Sequence, residues 1–291
     1  MKRLIAIILF GLSAWHIHGQ FIEVGGSLGG ATYQGDISHF SSKFSMQGAR
    51  FLNSVHVGYH FKDYYSVKFK FSNGSIGAYD SESASTSRRK RNLHFRSDIQ
   101  EFALVNEFEL LDIFHFFKKI NIKPFFNFGI AYFSFNPEAK YKGNWVDLQP
   151  LSTEGQGLPG SELRPYSLHQ WSIPFGFGLK YYFNDGLYLG FEISPRITFT
   201  DFLDDVSGNY PDMDILRSFK GEMATQLSYR GDQLPGGGGE AFTPENIGRG
   251  NPKDNDWYIF NTFVVGYKFD PVKAIKRRKS FSKGRKCNFF N

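Results

Sequence analysis

Three groups of residues in this chain have types and spacings that could do chemistry. The first is "EVGGSLGGATYQGD", Glu23 to Asp36, where four of the residues between Val24 and Ala31 are glycine. Glycine-rich loops cradle phosphates, but a P-loop also needs a Lys and a Ser or Thr after its last glycine. Here Gly30 is followed by Ala31 and Thr32. A dinucleotide fingerprint needs a helix after the glycines, and "TYQGDISHFSS" is turn chemistry instead. The second group is His39, His94 and His169, each with a serine nearby in sequence: Ser41, Ser97 and Ser167. A Ser–His pair in a barrel-rim loop could hydrolyse lipid. No Gly-x-Ser-x-Gly elbow or His-Glu-x-x-His motif supports that reading, and serines abound in these segments. The third is "DFLDDVSGNYPDMD", Asp201 to Asp214, whose carboxylates raise calcium. It lacks the ligand order and closing Glu of an EF-hand, so it reads as a solvated acidic loop. The expectation is a non-enzymatic chain with no cofactor, no metal and no small-molecule substrate.

Basic runs are the remaining candidates for binding. "SRRKRNLHFR" starts at Ser87, and "IKRRKSFSKGRK" starts at Ile275 and includes Lys276, Arg277, Arg278 and Lys279. Nucleic acid is the general partner of such runs, but the start of the chain argues against meeting it. "MKRLIAIILFGLSAWHIHGQ" has Lys2 and Arg3, an apolar run, then small and polar residues. That is the pattern of a secretory signal peptide, over 1–19. One cysteine, Cys287, leaves no partner for an internal disulfide, which excludes a disulfide-stapled secreted domain. No later apolar stretch reaches the ~20 residues of a membrane helix. The formal charge of +6 is concentrated in the tail after Phe269.

The elements that must carry these residues are strands. "FLNSVHVGYHF" puts Phe51, Val55, Val57, Tyr59 and Phe61 on one face and Ser54, His56, Gly58 and His60 on the other. "YYSVKFKF" opposes Tyr65, Val67, Phe69 and Phe71 to Ser66, Lys68 and Lys70. The same period of two recurs around Phe102, Phe126, Trp171, Leu187 and Trp257, and marks strands with two unlike faces. With the first glycine-rich stretch this makes about eight strands, each long enough for the ~9–11 residues of a tilted membrane strand. Tight turns near Asp63 and at Asn184–Gly186 alternate with long polar links, about 34–46, 78–93, 137–167 and 201–255. "MDILRSFKGEMATQLSYR", in the last of these, reads as a short helix.

The expected fold is all-β: an eight-stranded antiparallel transmembrane barrel with short periplasmic turns, long extracellular loops and a basic C-terminal tail. The barrel would span 20–269 and the tail 270–291, with both termini in the periplasm. A soluble lipocalin-like barrel has the same periodicity with the apolar face inward. Aromatic faces, with Tyr59, Tyr65, Tyr132, Trp171, Tyr181, Trp257 and Tyr267 near strand ends, favour membrane girdles. The glycines of the first strand would then make room inside a narrow barrel. Lys68, Lys70, Glu101, Glu107, Lys180, Glu192 and Arg196 are the lumen ion-pair candidates, because charges in so narrow an interior must pair. Pro174 and Pro195 are expected to mark bulges or kinks. Outer-membrane lipid is the expected solvent of the outer face.

Two stretches also carry a family resemblance. "EVGGSLGGATYQGDIS", with Tyr33-x-Gly35-Asp36, resembles the start of PorG-like barrels. So does "RPYSLHQWSIPFGFGLKYYFNDGLYLGFEISPRITFTDFLDDVSGNY", in which a Pro-Phe-Gly-x-Gly-x-Lys-Tyr strand leads to a Thr-Asp-x-x-Asp-Asp-Val-Ser loop. With the barrel pattern the likeness spans nearly the whole mature chain. PorG-like proteins are outer-membrane components of the type IX secretion machinery of Bacteroidota, on which gliding motility depends in some hosts. The resemblance implies a non-enzymatic anchor for the periplasmic ring, with the ring lipoprotein and its partner as binding partners. The basic tail, Lys276 to Lys279, is the candidate ring-facing element. The alternatives are a generic OmpA- or OmpX-like structural barrel or adhesin, and an outer-membrane lipid hydrolase.

Overall fold

The computed structural model describes residues 21–37, 48–111, 121–184, 186–234 and 248–270. Nine strands form one antiparallel sheet: β1 (Phe21–Gln34), β2 (Arg50–Lys62), β3 (Tyr65–Tyr79), β4 (His94–Glu109), β5 (Ile122–Tyr141), β6 (Asn144–Asp147), β7 (His169–Tyr182), β8 (Leu187–Thr198) and β9 (Trp257–Phe269). β1 pairs with β9 from Ile22–Phe269 to Gln34–Trp257. That pairing closes eight strands into a barrel. β6 stands outside the ring as the return arm of a hairpin on β5, turned at Lys142 and Gly143, which both have positive φ. β5 therefore runs on past Pro137, where the sequence marks the start of a loop.

The register fixes the dimensions. Cross-strand partners lead from Phe125 through Gly178, Glu192, Thr262, Gly29, Leu52, Gly74 and Ile99 back to β5 at Phe135, ten residues further along. For eight strands this stagger corresponds to a tilt of about 40° and a radius of about 8 Å. Such an interior has room for side chains and little else. Pro174 and Pro195 do not bulge their strands. Pro174–Arg196 and Phe177–Ile193 lie in one register, so the ladder lapses between them and resumes unshifted. Among the described residues, one register shift occurs, in the β2–β3 pair between His60 and Lys62.

Alternation sorts each strand into a lumen face and an outer face. The outer face is apolar and exposed over most of the barrel, as at Val55, Val57, Phe69, Leu104, Phe128, Leu179 and Val265; Ile130 is 51% accessible. A soluble barrel would have these residues inside. On β5 the apolar outer run extends from Ile122 to Tyr132, about 26 Å along the barrel axis, against the ~25 Å lipid-facing band of outer-membrane barrels. Tyr132 and Trp171 meet at 5.0 Å at its upper edge, and Tyr59, Phe61 and Tyr65 cluster at its lower edge. Gly25 and Gly29 face the lumen, where a Cβ on Gly25 would run into the His56 imidazole. Gly26 and Gly30 face outward, so only half of the first strand's glycines make interior room.

Beyond the band the pattern inverts. Above Phe102, β4 turns Gln100, Asp98 and Arg96 outward and buries Ile99 and Phe95. Above Tyr132, β5 turns Ser134, Asn136, Glu138 and Lys140 outward and buries Phe133 and Phe135. These residues join Leu52, Ile76, Leu203 and Phe260 in an apolar plug at the loop end of the barrel. The long loops fold over that plug. They carry α1 (Thr86–Arg91), α2 (Met213–Lys220) and α3 (Glu222–Ser228). The expected single helix is two, broken at Gly221, whose φ of 84° is left-handed. Asp212 caps the first, its carboxylate accepting from the N–H groups of Asp214 and Ile215.

Candidate functional site

Charged side chains fill the lumen in layers. At the turn end Glu23 gathers four partners: Lys68 Nζ at 2.6 Å, His56 Nε2 at 3.0 Å, His60 Nε2 at 2.6 Å, and the Tyr188 hydroxyl, which donates at 2.6 Å. Lys68 reaches on to Glu107 at 2.8 Å. Lys180 bridges Glu107 and Glu109. Glu109 also takes Lys268 at 2.9 Å, Lys123 at 3.3 Å and the Tyr182 hydroxyl at 2.5 Å. In the middle layer Lys70 donates to both oxygens of Glu192, at 2.9 and 2.8 Å, and Asn127 donates to one of them. Nearest the plug, Arg196 makes a bidentate pair with Glu101 at 3.1 and 3.0 Å, and the Tyr258 hydroxyl donates to the same carboxylate at 2.7 Å.

All seven lumen charges singled out in the sequence lie in these layers, in the pairs Lys68–Glu107, Lys180–Glu107, Lys70–Glu192 and Arg196–Glu101. Glu23, Glu109, Lys123, Lys268, the two histidines and the three tyrosines complete them. Alternation marks the inward position of Glu109, His56, His60 and Lys268; nothing local marks Glu23 as the hub. Six cations stand against five carboxylates, so the network is close to neutral. Oppositely charged, mutually bonded groups can tolerate such burial. They also occupy the space that water or a solute would need.

The other polar site is the loop cap above the plug. Here the two stretches that carry the family resemblance meet: the Tyr33 hydroxyl lies 2.6 Å from Asp204 Oδ2 and 2.8 Å from Asp256 Oδ1. A phenol has one proton to donate. Two carboxylate oxygens at bonding distance therefore compete for that proton. Burial pushes both well above the usual carboxylate range, each reinforced by nearby carboxylates. Gly35 packs against this junction with no room for a Cβ. Asp36 accepts from the Asn251 N–H at 2.9 Å.

Two arginines brace the cap. Arg91 grips Asp80 at 2.7 and 2.8 Å and donates to the carbonyl oxygens of Asp36 and Arg249. Arg249 pairs with Glu154 at 3.0 Å and with Asp205, and Glu154 accepts from the N–H groups of Ser207 and Gly208. Burial raises Asp205 to about 6, against the pull of Arg249, and raises Asp201 to about 7. The acidic loop expected to be solvated is divided: Asp201, Asp204 and Asp205 are buried, whereas Asp212 and Asp214 are exposed. Among the described residues no group of three or more His, Cys, Asp or Glu is arranged to hold a metal ion.

Among the described residues, neither His94 with Ser97 nor His169 with Ser167 is joined side chain to side chain. His94 Nε2 accepts from the backbone N–H of Lys140 on the outer face, whereas Ser97 faces inward and accepts from the Asn136 N–H. Ser167 bonds the backbone of His169, whose ring stacks on Tyr132. His39 and Ser41 lie outside the described residues, as do Lys276, Arg277, Arg278 and Lys279.

Among solved structures the chain is similar to Neisserial surface protein A, at 9% identity over 87% of this chain and 100% of that one, with a TM-score of 0.41. It is similar to the N-terminal barrel domain of Pseudomonas aeruginosa OprF at 12% identity, over 86% and 97%, with a TM-score of 0.34. It is also similar to Ail, the attachment invasion locus protein of Yersinia pestis, at 9% identity, over 87% and 99%, with a TM-score of 0.38. The fold rests on the closed register and the exposed apolar band, not on these likenesses: this is an eight-stranded barrel of the outer-membrane type. No curated protein matches the chain. Residues 2–229 match the model of the family described as "Domain of unknown function (DUF6089)", and the chain belongs to that family.

Proposed function

We propose that this chain is a non-enzymatic, non-conducting integral barrel of the outer membrane that anchors the periplasmic ring of the type IX secretion machinery. The observation that carries the non-conducting part is the filled lumen, with Lys68, Lys180, Glu23 and Glu101 each at most 2% accessible beneath an apolar plug. A barrel with no path through it can hold something at the membrane or present its loops.

The finer reading draws on the resemblance of the Tyr33-x-Gly35-Asp36 and Thr200–Ser207 stretches to PorG-like barrels. In this reading the loop end faces outward and the turn end and both termini face the periplasm. The basic tail, with Lys276, Arg277, Arg278 and Lys279, meets the ring lipoprotein and its partner. The decisive experiment is affinity purification of the tagged protein from its native host in mild detergent, with mass spectrometry of what accompanies it. Stoichiometric ring components are expected, together with their loss on deletion of residues 271–291 while the barrel stays heat-modifiable. A solitary barrel, under conditions that preserve other envelope complexes, would overturn the anchor.

The folded loop cap favours a structural barrel or adhesin as the second reading. Replacing 201–255 by a short turn would then abolish surface attachment and leave secretion intact.

A further inference from the structure

The Tyr33 junction joins three separate segments: the upper end of β1, the loop after β8 that holds Asp204, and Asp256 just before β9. Its two carboxyls also hold the plug. Asp204 accepts from the N–H groups of Ile37 at 3.1 Å and Val206 at 2.9 Å, and Asp256 accepts from that of Leu203 at 2.9 Å. Ile37, Leu203 and Val206 all belong to the apolar plug. With both carboxyls ionised, the one Tyr33 proton serves one of two oxygens. The other carboxylate oxygen then faces the phenol oxygen with no proton between them. A proton added to Asp256 Oδ1 removes that conflict. Asp256 donates to the Tyr33 oxygen and Tyr33 donates to Asp204, an unbroken chain at 2.8 and 2.6 Å.

The surroundings favour the added proton. Asp36 follows β1, Asp201 and Asp205 flank Asp204, Asp254 precedes Asp256, and Glu154 comes from the loop after β6. Facing them are Arg88 and Arg91 from α1 and Arg249 from the last loop. Arg91 already grips Asp80, and Arg249 already pairs with Glu154 and Asp205. Tyr166, before β7, bonds Asp205, and Lys253 is exposed. Asp201 is buried and neither of its oxygens makes a hydrogen bond, although the Ser207 side chain stands near it. Carboxyls therefore outnumber cations here. Burial, reinforced by Asp36 at Asp204 and by Asp204 and Asp201 at Asp256, raises both junction carboxyls well above the ordinary range. A carboxyl raised in this way stabilises the closed cap fully below its ordinary value of 3.8. That contribution is lost as pH rises through the raised value.

We propose that Tyr33, Asp204 and Asp256 form a proton-operated latch that holds the loop cap and the plug closed in acid and releases them as pH rises. Release frees the backbones of Ile37, Leu203 and Val206 together, because the same two carboxyls hold all three. The band below, with its own lumen ion pairs, stays closed. The test is limited proteolysis of the full-length protein in phosphatidylcholine nanodiscs with EDTA, from pH 5 to 8. Proteinase K cleavage within 200–210 is read by mass spectrometry and divided, at each pH, by cleavage of a free peptide of the same sequence. That ratio follows the open population while reclosing is fast. Each proton shed on opening raises it by up to about tenfold per pH unit, so a rise of at least about tenfold is expected between pH 5 and 7. Asp256→Asn keeps an acceptor for the Leu203 N–H and gives Tyr33 a permanent donor. It should cut the rise by at least about threefold while the barrel stays heat-modifiable. A second measurement needs no variant: infrared spectra at pH 6 should carry the carbonyl band of protonated carboxyls, and lose it on unfolding at the same pH. A flat ratio in the unmodified protein, an undiminished rise in folded Asp256→Asn, or absence of the carbonyl band would each overturn the latch.

Discussion

Two stretches of the same strands obey opposite rules. In the band, β4 and β5 point Phe102, Leu104, Phe128 and Ile130 outward and Glu101, Glu107 and Asn127 inward. A few residues further on they point Gln100, Asp98, Ser134 and Asn136 outward and Ile99, Phe95, Phe133 and Phe135 inward. The backbone, the tilt and the hydrogen-bond register do not change across the boundary. What changes is the solvent. Lipid on the outside forces the polar groups into the lumen, where they must satisfy one another. Water on the outside lets the interior become an ordinary hydrophobic core. The place where the faces exchange polarity marks the edge of the membrane more sharply than any girdle residue.

Each of the two interiors has a change that it should tolerate least. Lys180→Met leaves Glu107 and Glu109 short of a cation and should cost about 3–5 kcal/mol. Phe133→Ala, fully buried in the plug, should cost a similar ~3–5 kcal/mol. Urea unfolding in bilayers measures both. The second should also open the loop end to protease while the band stays protected. The outer faces give the next largest contrast. Phe128→Lys, in the band, should cost about 2–4 kcal/mol. Asn136→Lys, eight residues along the same face, should stay within about 0.5 kcal/mol. Equal costs would mean that the boundary has been misplaced.

The smallest effect separates the cap from the band by pH. Asp201 near 7 and Asp205 near 6 hold protons in the folded cap that an unfolded chain, with carboxyls near their ordinary 3.8, has already lost. Their contribution is therefore complete below about pH 4 and fades as pH rises through 6 to 7. The protection of amides in 200–210, after allowance for the base-catalysed intrinsic exchange rate, should fall between about pH 4 and 7. Asp201→Asn should flatten that dependence.

Much of the barrel was legible because a strand's period of two shows directly in a sequence. The Phe51–Phe61 and Trp171–Phe183 faces needed only alternation. Which face met lipid did not follow from alternation, since a soluble barrel reads identically; accessibility decided it. The plug escaped notice for a related reason. Phe133 and Phe135 sit in a strand whose outward residues up to Tyr132 are also aromatic, so an exchange of faces looks like continuation. The cap was illegible for another reason. Arg249 and Glu154 are 95 residues apart, and no local pattern announces that two long loops will fold against each other. The helix in the last loop was visible by composition, but its break at Gly221 depends on a left-handed backbone that glycine permits without requiring. Pro174 and Pro195 misled in the opposite sense, because a ladder can skip a missing donor without slipping.

The Tyr33 junction has a consequence for the order in which the molecule is made. Tyr33 lies one residue before the end of the first strand and Asp256 precedes the last, 223 residues later. Their bond cannot exist while the ribbon is still open. It forms only after the final strand has arrived beside the first, and it sits at the watery end of that seam. The contact is thus a stitch that records closure: a chain stalled with seven strands in place lacks it, however well those seven are paired.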